Sequence, residues 1–148
     1  MDKRIVYNNP DGSTCVVIPS PNSKLSIEQI AIKDVPQGTT YSIVDKANIP
    51  SDRSYRNAWK FDHNQKKMDH DMAKAKEIHK EKLRVLRAPK LAALDIEYQK
   101  ADEENNGQLK KQIADKKKAL RDVTSDPSIE AAKNIEELKL AIPDALKD

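Results

Sequence analysis

The chain is poor in several residue types on which catalytic and cofactor sites commonly depend. Its 148 residues include one cysteine, three glycines, one tryptophan and one phenylalanine, and aromatic side chains make up 4% of the total. The lone Cys15 excludes an internal disulfide and is compatible with a reducing or an oxidising compartment. With three glycines the chain has no glycine-rich phosphate loop. No apolar run approaches the ~20 residues that span a bilayer, and the opening "MDKRIVYNN" carries no apolar stretch behind its charges. The expectation is a soluble protein with no membrane partner and no secretion signal.

Charge is abundant but balanced, with 27 basic against 24 acidic side chains and a formal charge of +3. That total does not mark a nucleic-acid binder. Its distribution is more informative. Residues 60–90 hold ten Lys or Arg against five Asp or Glu, and residues 91–105 hold one against five. Residues 108–121 return to six against one, and residues 122–148 to three against seven. Signs that alternate by segment favour antiparallel helices pairing with each other over a single basic face.

The amino-terminal third reads as a small α+β module. Two β-branched runs, Arg4 to Tyr7 and Thr14 to Ile18, flank Asn9, Pro10, Asp11 and Gly12, which is β-hairpin chemistry. Ser26 followed by Gln29 forms a capping-box pattern ahead of Ile27, Ile30 and Ala31, so a helix is predicted to end before Pro36 with Gly38 in the turn. "TTYSIVD" supplies a third strand. The segment 41–62 then concentrates Tyr41, Tyr55, Trp59 and Phe61, and it reads as an aromatic hinge that closes a module over residues 1–62, with Tyr55, Trp59 and Phe61 forming a local mini-core over its open edge.

Residues 63–148 read as a helical hairpin or coiled-coil region. A helix from about Lys66 to Arg87 is predicted from the stripe Met68, Met72, Ala75, Ile78 and Leu83, with a restart at Pro89 carrying Leu91, Leu94, Tyr98 and Ala101. "DEENNG" reads as an exposed loop in which Gly107 closes the preceding helix. A return helix from Gln108 to Arg121 turns Leu109, Ile113 and Leu120 inward. Asp126 before Pro127, and Asn134 with Glu137, mark two further helix starts.

No candidate site in the sequence calls for chemistry. His63, His70 and His79 lie near Asp62, Asp69 and Asp71, but on a helix His70 and His79 point ~180° apart, so a solvated face is expected in place of a metal centre. Cys15 has no histidine near it in sequence. The expectation is no catalytic residue, no cofactor and no metal, hence no enzyme. The basic helices interleave Glu77 and Glu81 among their lysines and offer no aromatic or amide array to read bases, so nucleic-acid binding is kept as the alternative. The candidate protein interface comprises Arg53, Tyr55, Arg56 and Trp59 in the aromatic segment, with Leu91, Leu94 and Tyr98 on the helical seam. Trp, Tyr and Arg are the residue types most enriched at interface hot spots, and a narrow seam favours self-association.

Three stretches carry a family resemblance: the opening "RIVYNNPDGSTCVVIPSP", the central "VPQGTTYSIVDKANIPSDRSYRNAWKFD", and "LRVLRAPKLAALDIEYQKAD" followed by "KKKALRDV" and "EELKLAIPD". Together they resemble small tailed-bacteriophage proteins encoded beside tail-fibre or other tail genes. The helical part is similar to tail assembly chaperone and tail-fibre-assembly-like proteins, in which an arginine-led helix carries a Leu-Asp pair ahead of a Leu-Arg-Asp helix end. Here those positions are Arg87, Leu94, Asp95, Leu120, Arg121 and Asp122. Where that pattern often has a tryptophan after the Leu-Asp pair, this chain has Ile96, Glu97 and Tyr98. The resemblance implies a non-enzymatic phage protein that docks on other tail, fibre or neck proteins, located in the tail region of the virion or in the host cytoplasm during assembly.

Overall fold

A computed structural model describes residues 2–147 and shows an α+β chain that divides into two compact units, Met1–Ala75 and Lys76–Asp148. The first unit contains a three-stranded antiparallel sheet of order β2-β1-β3, built from β1 (Lys3–Asn8), β2 (Thr14–Val17) and β3 (Tyr41–Asp45). The hairpin between β1 and β2 closes as the turn residues dictate. Gly12 takes a φ of 81° and donates its N–H to Asn9 O at 2.9 Å. Helix α1 (Ile27–Asp34) starts on the expected capping box, with Ser26 and Gln29 each accepting from the other's backbone N–H.

The period-2 alternation of β1 sends its side chains to two different cores. Ile5 packs with Ile30, Ala31 and Val35 of the α1 layer, while Val6 packs with Val44, Trp59, Phe61 and Met68 on the opposite face. That second layer is a hairpin of β4 (Trp59–Asp62) and β5 (Lys67–His70), with Phe61 opposite Met68. One expectation is corrected here: Met68 belongs to a strand and not to a helical stripe. The aromatic residues Tyr55, Trp59 and Phe61 are buried, as a local mini-core requires, with Trp59 6% exposed. The hairpin carries the first unit past residue 62, to Ala75.

Helix α2 (Met72–Glu103) therefore starts six residues later than predicted (72 against 66), where Asp71 Oδ1 accepts from Lys74 N at 3.2 Å. It also runs through Pro89 without a break. Proline removes the N–H that would bond Val85 O, and Val85 is 65% exposed, which leaves that carbonyl to water.

In the second unit α2 folds back onto α3 (Gly107–Arg121) as an antiparallel hairpin. The turn uses Asn105 at a φ of 53°, and Gly107 opens α3 instead of closing α2. Ile113 and Leu120 are buried as expected, whereas Leu109 is exposed. Two short helices follow. α4 (Pro127–Ala131) is capped by Asp126, and α5 (Ile135–Leu140) is capped by Asn134, whose side chain accepts from Glu137 N. Glu137 reaches back to Lys133 N and not to its cap residue. Leu83, Ala101, Val123, Ile129 and Leu138 complete the core of this unit.

Candidate functional site

An open concavity lies in the first unit, on the sheet face that carries Val6. Antiparallel pairing sets Arg4 beside Val44 and Val6 beside Val16, so Arg4, Val16 and the following Ile18 line one side. The chain after β3 lines the other side. Its short 3₁₀ turn, Lys46–Asn48, is tied to the start of β1 by Lys46 N donating to Asp2 O at 2.6 Å, and it delivers Lys46, Ile49 and Pro50 to the rim. Arg53 and Trp59 complete a cleft of about 950 Å³ that is open to solvent.

The floor of the cleft is apolar and its rim is charged. Ile18 is 58% exposed and presents its aliphatic side chain to the cleft. Arg4, Lys46 and Arg53 contribute cations, and Asp2 and Asp45 contribute carboxylates, of which Asp45 already pairs with Lys3 at 2.7 Å. The rim therefore favours an anionic group on a ligand. Trp59 adds a further polar feature: its ring forms part of the wall, and among the described residues its buried indole N–H meets no acceptor.

Of the seven candidate interface residues, the cleft unites Arg53 and Trp59. Tyr55 is buried, and Arg56 is exposed on the 3₁₀ turn leading into β4. Leu91, Leu94 and Tyr98 are half-buried on α2 in the other unit, where Lys110 and Lys117 stand 5.5 Å and 5.3 Å from the Tyr98 ring centre. Sequence reasoning missed Arg4, Ile18 and Lys46, because strand register and the tie between Lys46 and Asp2 bring them together. Only the aliphatic Ile18 next to Pro19, at a strand end, gave a local hint.

The histidines do not converge. Among the described residues no group of His, Cys, Asp and Glu side chains is placed to hold a metal ion. His79 departs from the solvated face expected for it: it is buried, with Nε2 donating to Ala141 O at 2.8 Å. Cys15 is half-buried opposite Tyr7, and Asn9 Nδ2 donates to its sulfur at 3.1 Å. The hydrogen bond with Cys15, followed by burial, holds the Tyr7 hydroxyl above the usual tyrosine range.

Many cations of the second unit are engaged within it. Lys80 bridges Glu130 and Glu77, Lys76 also reaches Glu130, Lys117 pairs with Asp95 at 2.6 Å, and Lys110 pairs with Asp102. Hydrogen bonds to Glu130 and then Glu77 hold Lys80 above the usual lysine range, and Lys80 in turn holds Glu130 below the usual glutamate range. Among the described residues no helix is long and apolar enough to cross a membrane. The fold and cleft define a two-unit α+β protein with an open concavity in its first unit. No known protein family, curated protein or solved structure matches the chain.

Proposed function

We propose that the chain is a non-enzymatic docking protein of a tailed-bacteriophage particle, acting in tail or tail-fibre assembly or remaining in the virion. The observation that carries docking is the cleft, an open apolar floor of Val16, Ile18, Ile49 and Pro50 under a rim with excess positive charge. An extended segment of another virion protein fits it, with an aliphatic side chain seated on the floor and an acidic group near Arg4 and Arg53. The tail assignment rests on the resemblance of the three sequence stretches. Ion pairing of Lys76, Lys80, Lys110 and Lys117 with carboxylates of their own unit supports docking over the alternative of nucleic-acid binding, because paired cations release fewer counterions from a phosphate backbone.

Two measurements test this reading. Mass spectrometry of purified particles and assembly intermediates is expected to detect the chain, and Ile18→Asp is expected to remove it from both while leaving the melting curve unchanged. Titration with duplex DNA at two salt concentrations is expected to show only weak binding. Tight binding that falls steeply with salt would overturn the docking reading in favour of the nucleic-acid one.

A further inference from the structure

Helix α2 carries two apolar faces, and its own unit covers one of them. His79, Leu83 and Ala101 point inward and are buried. At 3.6 residues per turn, Val85, Pro89, Ala92 and Ile96 fall within an arc of ~60° on the opposite side. Val85 is 65% exposed, Ile96 58% and the neighbouring Leu86 51%, while Ala88, Pro89, Ala92 and Ala93 are exposed as well. The spacing of four, three and four residues is that of a helix-packing seam, and the alanines at its centre allow close approach of a second helix.

We infer that this seam is the contact through which two copies of the chain pair, with their α2 helices antiparallel about a two-fold axis that passes midway between residues 89 and 90. The flanking charges select this arrangement. In an antiparallel helix pair, residues on the same flank face each other across the axis. Arg84 and Asp95 share one flank, Lys82 and Glu97 share the other, and both pairs are centred on that same point between residues 89 and 90. Symmetry makes each pair twice, so four opposite-charge contacts border the seam. Val85 and Pro89 of one copy then interdigitate with Ala92 and Ile96 of the other, and Leu86 meets Ala93. In a parallel, in-register pair the same charged partners stand eleven and fifteen residues apart along the helices (95 minus 84 and 97 minus 82), out of reach.

Within the chain, Arg84 already contacts Glu81 at 3.0 Å and Asp95 contacts Lys117 at 2.6 Å, so the rim pairs extend existing charge networks. Rim charges of this kind set orientation more than affinity. A helix pair a few turns long is smaller than a standard interface, so dissociation constants on the order of micromolar or weaker follow. This pairing stands on α2 alone and does not depend on what the cleft of the other unit binds.

The test uses the full chain in two arms. Sedimentation over a concentration series is expected to show monomer passing to dimer, with Ile96→Glu remaining monomeric and keeping the wild-type melting curve. In a Cys15→Ser background, a mixture of Val85→Cys and Ile96→Cys proteins is expected to oxidise mainly to the mixed disulfide, because Val85 of one copy lies beside Ile96 of the other. A chain that stays monomeric at all concentrations overturns the self-contact. A dimer that survives Ile96→Glu places the contact elsewhere, and predominant Val85→Cys self-disulfides show a parallel pair. Either result refutes the inference.

Discussion

Replacing Trp59 with alanine removes the largest side chain from the core that joins the sheet to the β4–β5 hairpin. Trp59 is 6% exposed and packs among Val6, Val44, Phe61 and Met68. A buried aromatic truncated to alanine costs about 3–5 kcal/mol, and a unit of this size holds about 4–11 kcal/mol in total, so the variant forfeits a large share of the unit's stability. The unpaired indole N–H adds a second expectation. An unsatisfied buried donor costs about 1–3 kcal/mol, so Trp59→Phe loses ring volume but also removes that penalty, and its net cost falls to about 1–2 kcal/mol. The assay is hydrogen exchange on the β1 amides, which reads this unit separately from the helical one, supported by far-UV circular dichroism melts. At about 4–8 °C per kcal/mol for a small unit, Trp59→Ala lowers the midpoint by more than about 12 °C. An unchanged midpoint would show that the aromatic segment is not core, and a Trp59→Phe loss well above about 2 kcal/mol would show that the indole N–H has an acceptor.

Three further outcomes follow from the second unit. Pro89→Ala restores a helix amide in the interior of α2 and is expected to raise stability by about 1–3 kcal/mol in urea unfolding; a loss of stability would mean that the helix is shaped by its proline. Arg87→Met removes the guanidinium that donates to Arg121 O at 2.8 Å at the end of α3, and is expected to cost about 1.5–3 kcal/mol in the same assay. Glu130 has its folded pKa lowered by Lys80, so its contribution is complete above the unfolded glutamate pKa of about 4.3 and is lost as pH falls through the lower folded value. Glu130→Gln is therefore expected to flatten the acid limb of stability measured between pH 2 and 5 (about the range of carboxylate titration), and an unaltered limb would refute that pairing.

The legible parts of the fold were those encoded locally. Asn9 to Gly12 specified the first hairpin, Ser26 with Gln29 specified the start of α1, and Asp126 before Pro127 specified α4, because each feature satisfies nearby backbone groups. The β4–β5 hairpin was missed because two periods compete there. Met68 and Met72 fit a helical stripe, whereas Trp59 and Phe61 alternate as a strand, and the intervening turn places Lys66 at a φ of 51° without glycine to mark it. Pro89 resembles a helix start in sequence, but its missing N–H falls on the exposed face of α2, where the freed carbonyl stays open to water. Asn105 took the left-handed position assigned to Gly107, asparagine being the other residue that tolerates it.

The candidate site was legible only in part. Arg53 and Trp59 stand out in the sequence because arginine and tryptophan are enriched at interface hot spots, and both line the cleft. Arg4, Ile18 and Lys46 were not, since their proximity follows from the pairing of Arg4 with Val44 and from the tie between Lys46 and Asp2, neither of which leaves a mark in sequence spacing.

Imaging of the intact phage particle by electron cryo-microscopy tests the docking claim most directly. The account predicts a segment of another virion protein lying across Ile18, Ile49 and Pro50, with an acidic side chain against Arg4 or Arg53. A particle in which that cleft faces solvent, or in which its occupant is nucleic acid, would contradict it.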